Sequence, residues 1–178
     1  MTTIFCSHKL SAFLGSERFT PVETAEPSPL GDWNAHTFHI GRSRILVFVN
    51  NRTLYCVFMH DVKKADLRDI ETAFLRRMME QLFYEHIVRP AEAMKIDRMM
   101  RPIVLARSNN DKRTIGVMNE FVWQLKAQLA SEYHYRTAFA ELNRLANVLP
   151  VGRGKSGGKK YLMPGEEMMA LIDGSGIR

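Results

Sequence analysis

The chain has 178 residues, of which 46% are hydrophobic and 25% charged, values that are ordinary for a globular domain and exclude global disorder. Its formal net charge of +6 and its pI of about 9.5 favour polyanionic partners, although many basic proteins have none. Two cysteines cannot build a disulfide framework, and the longest apolar run, ILVFV at 45–49, is far too short to cross a bilayer.

The first part of the sequence predicts mainly β-strands. TTIFC at 2–6 is rich in β-forming residues, and HKLSAFL after it predicts one or two helical turns that stop at Gly15. Between 33 and 60, WNAHTFHI, RILVFV and TLYCVFMH predict three strands separated by short turns. The strand at 45–49 is apolar on both faces, which predicts a central position with cover on both sides.

The second part predicts mainly helices. Apolar residues recur every three or four positions from Leu67 to Leu82, from about 113 to 131 and from about 136 to 149. RPIVLAR at 101–107 predicts a further strand. Pro164 and two glutamates after it predict a short last helix, because proline and carboxylates both suit a first helical turn.

These elements predict one α+β domain over residues 1–150. An antiparallel sheet of about four or five strands is covered by three main helices, and the order of elements differs from the alternation of a doubly wound nucleotide-binding fold. Residues 151–178 are expected to form an appendage that consists of a flexible basic loop and a short C-terminal helix.

The stretch VGRGKSGGKK at 151–160 resembles the end of a phosphate-binding P-loop. The resemblance fails, because Leu149 stands where that motif needs its first glycine and a predicted helix precedes the loop. Two interpretations stay open, phosphate contact without sequence reading and a hinge kept soluble by its charges, and the second is the commoner role of a charge run. The cations concerned are Arg153, Lys155, Lys159 and Lys160.

A second basic set lies between 89 and 113, where seven cations face three acidic residues. The segment contains no aromatic residue, so it supports contact with a nucleic-acid backbone and nothing more specific. The candidate contact residues in this set are Arg98, Arg101, Arg107, Lys112 and Arg113.

Metal binding and catalysis have less support from the sequence. Cys56 and His60 are four residues apart on a predicted strand, about 13 Å at about 3.3 Å per residue, which is too far to share a zinc ion. The same spacing keeps the thiol from the imidazole in nucleophilic catalysis. We predict no metal site, no cofactor and no catalytic residue, and an enzyme stays the third alternative because dispersed catalytic residues leave no local motif.

Five phrases stand in one order along the chain: SPLGDWNAHTF, RILVFVNNRTLYCVF, VKKADL, TIGVMNEFVWQLK and AELNRLANVLP. Together they resemble a bacterial family of small proteins catalogued as a domain of unknown function, over about residues 1–150. The resemblance implies a single-domain bacterial protein with no assigned activity. It also makes Asn119 and Glu120 positions of interest, although an asparagine near a helix start commonly bonds only neighbouring backbone.

The leading functional expectation is a non-enzymatic binding protein that contacts nucleic acid, or a nucleic-acid complex, through the two basic sets. The alternative is a protein-interaction module, of an antitoxin-like or inhibitor kind, that uses methionine-rich and aromatic surface. We expect a cytoplasmic protein with reduced thiols and no membrane contact, because the N-terminal sequence lacks a signal-peptide pattern. The sequence leaves the oligomeric state open.

Overall fold

The computed structural model describes residues 1–21, 26–130, 139–152 and 161–177. Its strands and helices are β1 (Thr2–Cys6), α1 (His8–Leu14), β2 (Trp33–Ile40), β3 (Ser43–Asn50), β4 (Cys56–Met59), α2 (Lys64–Arg68), α3 (Ile70–Tyr84), α4 (Ala93–Met100), β5 (Ile103–Arg107), α5 (Lys112–Ala130), α6 (Phe139–Val148), β6 (Val151–Gly152), β7 (Tyr161–Leu162) and α7 (Pro164–Gly174). This part of the chain is α+β, as the sequence predicts.

Five strands form one mixed sheet in the order β4-β3-β2-β1-β5. β3 pairs antiparallel with β2 and β4, whereas β1 pairs parallel with β2 and β5. The prediction of an antiparallel sheet is therefore wrong for the half that contains β1. The cause is the length of the connections: residues 7–32 join β1 to β2 and residues 60–102 join β4 to β5. Crossovers of a dozen residues or more permit parallel neighbours.

The central position predicted for the apolar strand at 45–49 is confirmed. β3 lies between β4 and β2, and its apolar side chains are buried on both faces. Leu46 and Phe48 belong to one hydrophobic cluster, whereas Ile45 and Val47 belong to the other. A strand with two apolar faces is stable only between two covering layers.

Seven α-helices, rather than three main ones, occupy the described parts of the chain. The first predicted helix is divided at Asp69, which ends α2 and caps α3 by accepting a hydrogen bond from Thr72 N at 3.2 Å. Side chains of α1, α3, α4 and α7 pack on one face of the sheet, and those of α5 and α6 on the other. None of the helices that the structure describes has the length and apolar character of a membrane span.

The C-terminal segment packs into the core of the rest of the domain. Met168 and Ile172 on α7 are buried in the cluster that α3 also covers. Val151 and Leu162, which pair across β6 and β7, are buried on the opposite face. The predicted flexible loop at 153–160 lies outside the described residues.

Two asparagines of α6 close the outer edge of β4. Asn147 accepts from Cys56 N at 2.7 Å and donates to Cys56 O at 3.0 Å. Asn143 accepts from Phe58 N at 2.5 Å and donates to Phe58 O at 3.2 Å. The distance between the two asparagines along α6 matches the distance between Cys56 and Phe58 along β4, because four helical residues rise about 6 Å and two strand residues about 6.7 Å. The amides thus take the place of a further strand at an edge that is otherwise open to aggregation.

Candidate nucleic-acid interface

The carboxyl ends of β1, β2 and β5 lie at one edge of the sheet, and basic residues surround that edge. In the register of the parallel strands, Cys6 is level with Ala35 and with Arg107. Helix α1, the β2–β3 turn and the β5–α5 connection all begin at this edge. We call its seven cations the basic rim: Lys9 on α1, Arg42 and Arg44 at the β2–β3 turn, Arg107 at the end of β5, and Lys112, Arg113 and Lys126 on α5.

None of the rim cations forms an ion pair within the part of the chain that the structure describes. The arginines that do pair with carboxylates, at N–O distances from 2.5 to 3.3 Å, lie elsewhere. They are Arg18, Arg76, Arg77, Arg89, Arg101 and Arg144. Surface cations without a carboxylate partner keep their field available for an external anion.

Two rim cations from different elements, Lys9 on α1 and Lys126 on α5, lie near His36 on β2. Its Nδ1 lies 2.8 Å from Ser7 Oγ. Burial lowers the pKa of His36, and the charges of Lys9 and Lys126 lower it further. The same Lys126 places its Nζ 5.6 Å from the centre of the Phe38 ring. His36 is therefore neutral at pH 7, and the positive field at this strand end comes from α1 and α5 together.

The start of α5 carries cations where a helix favours anions. Asp111 caps the helix, since its Oδ1 accepts from the backbone N of Arg113 and Thr114. The first turn itself contains no acidic residue and begins with Lys112 and Arg113. A cation beside the positive end of a helix dipole is unfavourable by about 0.3–1 kcal/mol at low ionic strength. A bound anion would relieve this repulsion.

Exposed aromatic rings accompany the cations. Trp123 on α5 is 70% exposed, and Asn119 and Lys126 are its neighbours on the same side of the helix. On α1, Phe13 is 44% exposed and carries the Arg44 guanidinium 3.3 Å above its ring. A flat exposed indole beside cations is the arrangement that stacks on an unpaired nucleobase.

These rings lie outside residues 89–113, the basic segment that contains no aromatic residue, so the pattern of that segment does not predict them. The signal that identifies Trp123 is its position outside the buried stripe of α5. Phe121 and Leu125 lie on that stripe and are buried, whereas Trp123 falls between them on the solvent side. An exposed ring on the polar side of an amphipathic helix is a candidate contact residue when cations lie beside it, as Lys126 does here.

The structure separates the predicted contact residues into three groups. Arg107, Lys112 and Arg113 lie together in the basic rim. Arg98 and Arg101 lie at the opposite end of β5, where Asp97 Oδ2 holds Arg101 Nε at 3.0 Å. The third group, Arg153, Lys155, Lys159 and Lys160, lies outside the described residues.

The two positions taken from the family resemblance lie on α5. Asn119 and Glu120 are both exposed, and Glu120 accepts a hydrogen bond from Gln124 at 3.4 Å. Because Asn119 is exposed beside Trp123 and Lys126, its side chain is accessible to a partner at the rim.

The residues considered for metal binding or nucleophilic catalysis are dispersed. Burial raises the pKa of Cys6 to about 12 and raises the pKa of Cys56 well above its ordinary value. His60 stacks on Phe139 with ring centres 4.1 Å apart and lies 3.1 Å from Asp61. Among the residues that the structure describes, no three His, Cys, Asp or Glu side chains are grouped to hold a metal ion. The chemistry gathered at the rim is cationic and aromatic.

One family model, described as "Domain of unknown function (DUF6933)", matches residues 3–167 of the chain. A comparison with curated proteins found no match. The matched range extends from β1 to the first turn of α7 and contains the whole basic rim and both asparagines of α6.

Proposed function

Because the chain belongs to the DUF6933 family, whose description assigns no function, we propose a role from its own surface: the basic rim binds single-stranded nucleic acid along α5. The observation that carries the proposal is the presence, at one sheet edge beside an exposed tryptophan, of seven cations that form no ion pair with any carboxylate the structure describes. Cations attract the phosphates, and the indole stacks on a base.

Acidic residues at the rim reduce this field without reversing it. Asp111 and Glu120 keep their negative charges while they accept hydrogen bonds from the first turn of α5 and from Gln124, and these two charges oppose seven cations. From Lys112 to Lys126 the helix rises about 21 Å. A strand of several nucleotides therefore spans the cations of α5, and Trp123 lies within that length.

A single strand fits better than a duplex. The bases of a duplex are stacked inside it, so Trp123 has no ring to contact, and the cations would contact phosphates alone.

The affinity for a single strand should fall as the salt concentration rises. Each phosphate neutralised in a single strand contributes about −0.7 to the slope of log affinity against log salt, so seven contacts give roughly −5.

The test is fluorescence anisotropy of a labelled twelve-nucleotide strand, DNA or RNA, and of the matched duplex across a salt series. We expect the double variant Lys112→Ala/Arg113→Ala to weaken single-strand binding about tenfold and to reduce the slope by about 1.4. The matched control is Arg76→Ala/Arg77→Ala, which removes the same charge from α3, where both arginines have carboxylate partners. This control retains the affinity if the rim is the binding surface.

Two results would overturn the proposal. One is equal weakening by both double variants, which means that net charge alone matters. The other is an affinity that is undetectable at low salt or unresponsive to salt. The second result would favour the protein-interaction alternative, for which Trp123 would be the exposed anchor.

A further inference from the structure

A cavity of about 250 Å³ lies where the C-terminal ends of α3 and α6 meet the first turn of α7. It is beside the start of β4, and Cys56 there pairs with Val49, which in turn pairs with Asn34 near the beginning of β2. The basic rim lies at the other end of β2. Six of the residues that line the cavity are Glu85, Arg144, Asn147, Met163, Gly165 and Met169.

Glu85 presents its carboxylate to this cavity. Its Oε1 accepts hydrogen bonds from Gln81 Nε2 at 2.6 Å and from Asn147 Nδ2 at 2.9 Å. Its Oε2 faces Gly165, and the Tyr55 hydroxyl lies against the same carboxylate. A Cβ atom on Gly165 would lie 3.7 Å from Oε2. The glycine therefore leaves open the wall through which a ligand reaches the carboxylate.

Beside Glu85 the Tyr55 hydroxyl is buried and has no hydrogen bond of ordinary geometry. Burial raises the pKa of Tyr55, and the charge of Glu85 and its polar contact with the hydroxyl raise it further, so the hydroxyl lies against the carboxylate. Tyr55 thus contacts Glu85, whereas the cavity itself is lined by residues of α3, α6 and α7 and of the segments next to them.

The electrostatics of the cavity favour a cation. Glu85 and Glu166 line it with Arg144, and Arg144 is itself held by Glu141 through hydrogen bonds of 2.6 and 2.8 Å. The negative ends of the α3 and α6 dipoles also meet here. The opposing positive end of α7 carries Glu166 and Glu167 in its first turn. Two carboxylates, Glu85 and Glu166, thus line the cavity with one guanidinium, which Glu141 also binds.

A second acceptor lies near Oε2. The main-chain oxygen of Asn147 would be 3.3 Å from a Cβ on Gly165. It belongs to the last turn of α6, where carbonyls lack intrahelical partners, and Pro150, three residues later, has no N–H to offer. The carboxylate and this carbonyl therefore border the same open wall.

We propose that this cavity binds a small primary alkylammonium ion. The ammonium group donates to Glu85 Oε2 and to the Asn147 carbonyl, and the alkyl chain lies against Met163 and Met169. An ammonium fits better than a guanidinium, because Oε1 already accepts two hydrogen bonds and the guanidinium fork needs both carboxylate oxygens. At about 30 Å³ per water-sized group, the volume accommodates about eight non-hydrogen atoms.

Binding of an ammonium is coupled to the protonation of Glu85. Burial raises the pKa of this carboxyl, and the hydrogen bonds from Asn147 and Gln81 lower it. The titratable and charged groups that face it are Tyr55 and Cys56 from β4 and its approach, Arg144 from α6 and Glu166 from α7. Affinity for the cation therefore rises with pH as Glu85 loses its proton.

The test is an NMR titration of the full chain with n-butylamine at neutral pH, followed through the methyl signals of Met163 and Met169. The matched probes are n-butanol, which is neutral, and butyrate, which is anionic. We expect n-butylammonium to bind at least tenfold more tightly than either. Glu85→Gln keeps an oxygen for Gln81 and Asn147 and removes the charge, so it should weaken n-butylammonium binding at least tenfold. The control Glu80→Gln, on the outer side of α3, should bind as the wild type does.

Gly165→Ala keeps the charge of Glu85 and narrows the wall beside Oε2. It should also weaken n-butylammonium binding at least tenfold, and it decides the question if Glu85→Gln fails to fold. The proposal is overturned if n-butanol binds as tightly as n-butylammonium, or if a folded Glu85 or Gly165 variant keeps wild-type affinity. Nucleic-acid binding at the rim is measured separately, so either proposal can fail without the other.

Discussion

At one corner of the sheet, charged side chains lie in solvent without partners, and at the opposite corner polar side chains lie buried and bonded. The basic rim holds cations such as Arg107 and Lys112 that no described carboxylate neutralises. Beside β4, Asn143 and Asn147 each bind both backbone groups of one strand residue. Water solvates an exposed cation, so the absence of an ion-pair partner changes the free energy of folding little. The cation stays available to a ligand.

Buried polar groups follow the opposite rule. A buried polar group without a hydrogen-bond partner destabilises the fold, so almost every such group has a partner. The few that have none are candidates for a functional role. At the β4 corner the exception is the Tyr55 hydroxyl, which has no hydrogen bond of ordinary geometry although Glu85 lies beside it. Polar groups without partners therefore indicate a candidate site in both regions. At the surface the sign is that many unpaired cations lie together, and in the interior it is that a single unpaired group is rare.

The largest effect should come from removing one amide at the buried corner. Asn147→Ala leaves Cys56 N and O without partners and takes a donor from Glu85. At about 1–3 kcal/mol for each unsatisfied buried group, we expect a loss of about 3–5 kcal/mol in the free energy of unfolding, measured with guanidinium chloride. The same substitution at exposed Asn119 should change it by less than about 0.5 kcal/mol. Equal effects at the two positions would contradict the edge-closing role.

At the rim, the corresponding test removes the exposed ring. Trp123→Ala should weaken single-strand binding by about 1–3 kcal/mol, the usual value of one stacked base, and leave duplex binding unchanged. The free energy of unfolding should stay within about 0.5 kcal/mol of the wild-type value, because the Trp123 side chain is mostly exposed. Met94→Ala on α4 is the control, since Met94 is also 70% exposed and lies away from the rim. If Trp123→Ala keeps the wild-type affinity, the cations bind the strand without stacking of a base on Trp123.

The buried corner should also respond to pH. Because the folded-state pKa of Glu85 is raised, the protonated carboxyl stabilises the fold below its ordinary pKa of 4.5, and this contribution is lost as pH rises through the raised value. Relative to wild type, Glu85→Gln should therefore gain stability as pH rises across that window. Urea unfolding at a series of pH values measures the difference.

A variant of Glu141 should show a pH dependence of stability with the opposite sign. Its pKa is lowered, chiefly by hydrogen bonds from Arg144, so its contribution is present above pH 4.5 and is lost as pH falls. Glu141→Gln should therefore lose stability relative to wild type as pH rises from acid. If both variants change in the same direction with pH, the raised pKa of Glu85 is refuted.

The sequence predicts local features of this fold better than pairings between distant segments. β3 is recognisable because five consecutive apolar residues need cover on both faces. The parallel pairing of β1 with β5 is not recognisable, because Thr2 and its partner Ile103 are brought together only by the long connections. Asp69 was missed as a helix boundary because the apolar period continues through it from Leu67 to Ile70.

The candidate sites show the same limit. Arg107, Lys112 and Arg113 were identified because they are close in sequence, whereas Lys9 and Arg44 reach the same edge from other elements. Asn147 lies within the phrase AELNRLANVLP, yet the sequence of a helix does not show which group an asparagine binds, because the partner here is on β4, about 90 residues away. Glu85 likewise becomes a candidate only when α3, α6 and α7 converge.

The smallest expected effect separates binding from folding at the start of α5. Lys112→Gln and Arg113→Gln each remove a cation from the positive end of the helix dipole. We expect each to raise the free energy of unfolding by about 0.3–1 kcal/mol at low salt and to weaken nucleic-acid binding. Stability and affinity would then change in opposite directions, as they do when residues are kept for a partner rather than for the fold.

Lys126→Gln is the matched control for this trade-off. Lys126 belongs to the same rim and the same helix but lies near the C-terminal end of α5, where the dipole does not oppose a cation. It should weaken binding as the other two substitutions do, because it removes one phosphate contact, and it should not raise stability. A gain in stability at Lys126 as large as that at Lys112 would mean that general repulsion among the rim cations, rather than the helix dipole, is relieved.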